Sequence, residues 1–213
     1  MVDIYHSRIA CNSYLIYKNK NEAIIVDPGY NKNNCLIDHI HHLGIRVVAI
    51  LITHAHYDHI GALKDILDEF PDATTYISEL ELKALDNPKY NLSFVDDYDG
   101  EELTFVPENL KTLWDGEEFI AAGYKIRCLL TPFHTFGSAC FIINEEENAL
   151  FTGDTLFFTT IGRSDLPGSC ARETTNSLKK LIELQGDYNV YPGHGIKTTL
   201  NRERKHNSYL KIS

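Results

Sequence analysis

With 213 residues, 43% of them hydrophobic and 23% charged, the chain has the length and composition of a globular protein able to bury an ordinary core; this excludes disorder and favours one domain over residues 1–213. A formal net charge of −10, with no lysine or arginine cluster to offset it, argues against nucleic acid as a partner. The first residues lack a basic flank leading into an apolar stretch, and no later run approaches the ~18–20 apolar residues of a membrane span, so a cytoplasmic location is expected.

In chain order, Ser13–Tyr17 and Ala23–Asp27 read as short strands, the second closed by the turn formers Pro28 and Gly29. A helix is predicted next, with Asn33 or Asn34 as its cap and Gly44 as its stop. Val47–Thr53 is a continuous β-branched and apolar run, the pattern of a strand buried on both faces. The polar string THAHYDH follows, and then Ile60, Leu63, Ile66, Leu67 and Phe70 recur at helical spacing before Pro71. Lys125–Leu130, Cys140–Asn144 and Ala149–Thr152 read as strands, Leu178–Leu184 as a helix, Asn189–Tyr191 as a last strand, and the tail as a terminal helix. Strands in two groups interleaved with helices predict a layered α/β protein.

Ten histidines exceed what packing requires in a chain of this size. His54 and His56, two residues apart where a strand ends, can point the same way and share one cation; Asp58 and His59 lie within reach of a second. An open catalytic ion needs about three protein ligands, so one loop cannot complete both spheres. Further donors stand at three more strand ends: His134 in TPFHTFGS, Asp154 in FTGDTLF and His194 in YPGHG. These complete a set with His54, His56 and His134 on one cation, Asp58, His59 and His194 on the other, and Asp154 shared. Imidazole and carboxylate suit two divalent ions, zinc first, with iron or manganese compatible. His6, His39, His41, His42 and His206 read as surface residues. The cysteines (Cys11, Cys35, Cys128, Cys140, Cys170) are odd in number and form no CxxC pair, which points to reduced thiols; Cys170 has no base partner and is given no catalytic role.

The succession HAHYDH, a lone histidine, GDTLF and PGHG resembles the metallo-β-lactamase fold superfamily, from about residue 10 to the end. Within it the chain is most similar to short glyoxalase-II-like hydrolases, through DPG (Asp27–Gly29), NLS (Asn91–Ser93), IGRSDLPG (Ile161–Gly168) and the tail ERKHNSYL. The resemblance implies an αββα sandwich with the metals at one edge of the two sheets, and the same division of the seven donors. The sequence departs from the usual TPGHTPGS by carrying Phe133 and Phe136, and from a common Gly-Gly by reading Gly168-Ser169-Cys170. Glyoxalase II proper adds a helical C-terminal domain that contributes to glutathione binding; here 18 residues follow Gly195, and GRSDLPG replaces the Lys- and Tyr-containing stretch. Fold and metal chemistry are therefore expected to carry over, and the larger part of a glutathione site is not.

A pair of divalent ions makes water reactive at neutral pH, and Asp58 is expected to orient that water. A thiol of pKa about 8.5 leaves without a strong general acid, so hydrolysis of a small thioester or related acyl substrate is the leading expectation. Phe133, Phe136, Phe157, Phe158 and Leu166 are candidates to wall an apolar substrate pocket, about half of them being expected to pack in the core instead. Arg163 either meets a substrate carboxylate or fixes its loop by pairing with Asp165. The alternatives are an iron-dependent persulfide dioxygenase using His54, His134 and Asp154, and a phosphodiesterase of small esters. A diiron flavoprotein is disfavoured by His56, where those relatives usually carry glutamate, and a catalytically dead binding protein by the intact donor set.

Overall fold

Side chains alternate across each strand, so a strand that is apolar on both sides must be covered on both sides. The computed structural model describes residues 2–6, 11–18, 21–30, 35–94, 102–145 and 148–211, and in it this requirement produces four layers. The first sheet runs in spatial order β1 (Val2–His6), β2 (Asn12–Ile16), β3 (Glu22–Val26), β4 (Arg46–Ile52), β5 (Thr74–Ser78), β6 (Leu110–Leu113). Pairing is antiparallel as far as β3 and parallel from there on. The second sheet comprises β7 (Glu118–Ala121), β8 (Tyr124–Leu130), β9 (Ala139–Ile143), β10 (Ala149–Gly153), β11 (Asn189–Pro192) and β12 (Thr198–Thr199), in that spatial order, with only β10–β11 parallel.

Between the sheets, Tyr14, Ile24, Val26 and Leu51 of the first meet Ile126, Phe141, Phe151 and Tyr191 of the second. Phe151 stacks on Tyr191 with ring centroids 4.9 Å apart, and Tyr14 meets Phe151 edge-on at 5.3 Å. Each such large side chain contributes roughly 1.5–3 kcal/mol by leaving water. On the outer face of the first sheet, Leu15, Ile25, Ile50 and Ile52 pack under Leu36 and Ile40 of α1 (Cys35–Leu43) and Leu63 and Ile66 of α3 (Leu63–Glu69). On the outer face of the second, Ile142, Leu150 and Val190 pack under Leu178 and Leu181 of α5 (Thr174–Glu183) and Leu200 of α6 (Leu200–His206). A register shift sets Ile24 opposite Ala49 after Ala23 opposite Val47, leaving Val48 as the extra residue of a bulge in β4.

The expected αββα layering stands. The helix expected from Ile60 divides instead into α2 (Tyr57–Ile60) and α3, because the chain bends at Gly61 and Ala62. A Cβ on Gly61 would lie 2.8 Å from that of Tyr30, and Ala62 N donates to Pro28 O at 2.9 Å, so the DPG turn packs against the break. Strands β1, β5, β6, β7 and β12 and the short α4 (Pro88–Asn91) had no expectation attached to them. The expected cap at Asn33 or Asn34 lies outside the described residues. No helix among the described residues is long and apolar enough to cross a membrane.

Candidate metal centre

The seven donors reach one edge of the sandwich because their strands all end there. His54 and His56 follow β4, Asp58 and His59 sit on α2, His134 follows β8, Asp154 follows β10 and His194 follows β11. Backbone hydrogen bonds close the two sheets on each other at this edge: Ala139 N donates to Thr53 O at 2.9 Å and Asn12 N to Gly193 O at 2.7 Å. Asn12 Nδ2 and the Tyr14 hydroxyl both donate to Pro192 O, at 3.0 and 2.6 Å, fixing the turn that carries His194.

Donor atoms of three trios lie within 4.8 Å of one another: His54, His56 and His134; Asp58, His59 and His194; and His54, His59 and Asp154. His134 Nε2 lies 3.0 Å from His56 Nδ1. Asp154 faces both groups, Oδ2 standing 3.3 Å from His134 Nε2 while Oδ1 stands 3.4 Å from His59 Nε2 and 3.6 Å from His194 Nε2. His194 Nε2 is 3.1 Å from Asp58 Oδ2. All seven predicted donors are thus brought together; two of the trios coincide with the expected sets, and the third, His54, His59 and Asp154, spans them. Metals fit them: His54 Nε2, His59 Nε2 and Asp154 Oδ1 are buried without a hydrogen-bond partner, a costly arrangement that bound cations would satisfy, and His56 turns Nδ1 to His134 Nε2.

Outer partners fix the ring orientations. His134 Nδ1 donates to Arg163 O at 2.7 Å and His59 Nδ1 to Asp27 Oδ2 at 2.9 Å, leaving each Nε2 aimed inward. Asp27 also accepts from Thr53 N and Thr53 Oγ1, both at 2.7 Å, and holds a left-handed φ of 49°. Glu81, fully buried, accepts from Ala55 N at 3.0 Å and from the Thr135 hydroxyl at 2.9 Å, tying the loop of His54 and His56 to that of His134. Burial raises the pKa of Glu81 despite these bonds. Sequence reasoning missed both acids. Asp27 shares the strand-end signal of the ligands, whereas Glu81 lies in a segment with no such mark. Gly193 leaves room that no side chain could occupy, since a Cβ there would stand 2.4 Å from Asp154 Oδ1.

The rings titrate in opposite directions. Burial, then the neighbouring His59, His56, His134 and His194, push His54 well below the usual histidine range; burial and His134 take His56 down to about 3. Burial also opposes charge on His59, but Cys11, Asp58, Asp154 and Asp27 together outweigh it and raise the pKa well above normal. His194 is likewise raised, burial being outweighed by its hydrogen bond to Asp58 and by Asp154. Asp58 and Asp154 are lowered, the adjoining imidazoles overcoming the burial that would raise them.

The donors open into a cleft of about 390 Å³, whose wall includes Tyr57, Leu92, Phe157, Gly162, Arg163 and Leu166. The candidate substrate residues divide here. Phe157 and Arg163 line the cleft; Phe133 is fully buried in the core beneath α5, away from the cleft, and Phe136 stacks edge-on against Tyr90 at 5.3 Å. The chain turns tightly at His134, which sends the two flanking aromatics into the packing on either side. Phe158 is an exposed residue under the Arg202 guanidinium, 3.8 Å from its ring centre. Arg163 pairs with Asp165 through two hydrogen bonds of 2.6 and 2.9 Å. His6, His41, His42 and His206 are exposed, while His39 is half-buried against Tyr5, and all five cysteines remain thiols.

Two mixed sheets between helices, with a histidine and aspartate cluster on one edge, define a metallohydrolase scaffold. The model of the metallo-beta-lactamase superfamily matches residues 7–194, and the chain belongs to that superfamily. A probable metallo-hydrolase of Streptococcus pyogenes is 35% identical over 93% of this chain and 85% of its own length. A probable polyketide biosynthesis zinc-dependent hydrolase of Bacillus velezensis, BaeB, is 33% identical over 99% of this chain and 86% of its own. Among solved structures, the BLEG-1 B3 metallo-beta-lactamase aligns with a TM-score of 0.88 and 31% identity over 100% of both chains. TTHA1623 in a di-iron-bound form aligns at 0.81 and 30%, over 99% of this chain and 100% of that one.

Proposed function

We propose that this chain, as a single domain over residues 1–213, is a cytoplasmic binuclear metallohydrolase of small acyl substrates, thioesters first, of the glyoxalase-II-like type. The observation that carries this reading is the convergence of buried, unsatisfied His54 Nε2, His59 Nε2 and Asp154 Oδ1 with the imidazoles of His56 and His134 at the base of a cleft open to small molecules. His54, His56 and His134 would hold one cation, Asp58, His59 and His194 the other, and Asp154 both; imidazole and carboxylate suit zinc, as in the BaeB relative, or iron, as in TTHA1623. Bound there, a pair of divalent ions would acidify water and polarise an acyl oxygen.

The protein's own groups do the rest. Asp58, half-buried at the cleft, accepts a hydrogen bond from the attacking water and sets its direction. Asp27 and Arg163 O keep His59 and His134 in the tautomer that presents Nε2 inward. Phe157, beside His194 with ring centroids 6.0 Å apart, shields the reacting carbon from bulk solvent. A thiolate leaves without an added proton, so no dedicated acid is required.

Elemental analysis of protein purified without added metal, paired with a panel of thioesters, lactones and phosphodiesters, tests the assignment. About two equivalents of metal and turnover of thioesters are expected; a metal-free protein, or turnover of phosphodiesters alone, refutes it. An iron dioxygenase on the two-histidine, one-carboxylate set of His54, His134 and Asp154 is the second reading, supported by Asp154 Oδ2 standing 3.3 Å from His134 Nε2. Oxygen uptake with glutathione persulfide by the iron-loaded protein would select it.

A further inference from the structure

Beside Tyr57, the cleft is lined by three apolar residues, Leu92, Phe157 and Leu166, and the backbone around each is fixed by hydrogen bonds. Leu92 has a left-handed backbone (φ 63°), rare for a bulky residue and maintained only where neighbours enforce it. Here Asn91 Nδ2 donates to Leu103 O at 2.8 Å, Asn91 Oδ1 accepts from Ser93 N at 3.0 Å, and Ser93 Oγ accepts from Leu103 N at 2.8 Å. The NLS motif thus serves to hold Leu92 at the cleft. Ser169, one of the departures from Gly-Gly, donates from Oγ to His134 O at 2.6 Å and accepts from Leu166 N at 3.1 Å, fixing Leu166 relative to a metal donor. Phe157 N donates to Thr160 O at 3.0 Å, and Glu203 of the C-terminal helix accepts from Thr159 N at 2.8 Å, fixing that turn. Arg163, at the rim, pairs its Nε and Nη2 edge with Asp165 by two hydrogen bonds of 2.6 and 2.9 Å.

Resting on the acyl-hydrolase reading, the geometry points to a substrate whose acyl group is a short unbranched hydrocarbon chain, received between Leu92, Phe157 and Leu166. A cleft of about 390 Å³ lies toward the small end of the range for small-molecule sites and suits a chain of roughly four to eight carbons. Such a chain covers the apolar wall, whereas a charged or heavily hydroxylated acyl group would lose its water against those three side chains.

The test uses the metal-loaded enzyme and saturated acyl thioesters of one small thiol, N-acetylcysteamine, from acetyl to octanoyl, with succinyl for comparison. The expected kcat/KM rises by about two- to fourfold per methylene until the cleft is filled, and butanoyl exceeds succinyl. Leu92→Asn keeps a residue that tolerates a left-handed backbone and removes the apolar contact, so the dependence on chain length should flatten. Inhibition of the unaltered enzyme by straight-chain carboxylates, tightening with length, supplies the same readout should the variant not fold. Thioester hydrolysis that is indifferent to chain length, or that prefers succinyl, overturns this inference and leaves the acyl-hydrolase reading intact. No hydrolysis of any thioester by protein carrying its metals overturns both.

Discussion

Asp154 stands between the two trios with one oxygen turned to each, whereas His194 belongs to the trio of Asp58 and His59. Asp154→Ala is therefore expected to lower metal content at both positions, while His194→Ala empties mainly one; elemental analysis of the two variants separates these outcomes, and equal loss in His194→Ala would contradict the division. The pKa shifts carry a second expectation. His59 and His194, raised, hold a proton to higher pH than an ordinary histidine unless a cation displaces it, so affinity at their trio grows with rising pH and falls as pH drops. His54 and His56, lowered, are already neutral near neutral pH and do not compete with protons over the same interval. Titration from pH 7 toward 5 should release the metal of Asp58, His59 and His194 first, followed by metal-specific spectroscopy on a cobalt-substituted sample.

At the scale of elements, the site depends on two loops leaving different sheets being held at a fixed separation. Glu81 does this from the segment after β5, bonding Ala55 N and the Thr135 hydroxyl, and a Cβ on Gly137 would stand 2.4 Å from Glu81 N, so the loops are in close contact. Glu81→Ala leaves buried donors without an acceptor and is expected to cost about 3 kcal/mol, or ~6–12 °C in Tm at ~2–4 °C per kcal/mol for a chain of this size. Glu81→Gln retains an acceptor oxygen and should lose less. Thermal unfolding of both variants, with metal content measured alongside, decides whether the brace acts on stability, on occupancy, or on both.

For the whole molecule, the edge that carries the donors is also the edge where the two sheets are joined by backbone hydrogen bonds, so site and fold share their supports. A ligand that binds only the folded state adds stability according to its excess over Kd, about 2.7 kcal/mol at a hundredfold excess. Chelation of the metals is expected to lower Tm by roughly 5–10 °C or more, reversibly on return of the metal. A Tm indifferent to chelator, in protein shown by analysis to have lost its metal, would mean that the cluster contributes nothing to the folded state.

The sequence alone determined the layered α/β pattern and marked the candidate donors. Histidines and aspartates at the ends of apolar runs announce themselves locally, since strand periodicity and ligand type are both written in a few adjacent residues. So Val47–Thr53 was legible as a doubly covered strand and His54, His56, His134, Asp154 and His194 as strand-end donors. Only the tertiary structure decided which neighbours support them. Asp27 and Glu81 act across 32 and 26 residues of chain on His59 and Ala55, and nothing in their own segments records that distance. Likewise Phe133 and Phe157 carry the same side chain beside a donor, yet one lies in the core and the other lines the cleft. Which side of a turn a ring takes is set by what the opposing layer leaves open, a property of the assembled packing and not of the ring or its neighbours in sequence.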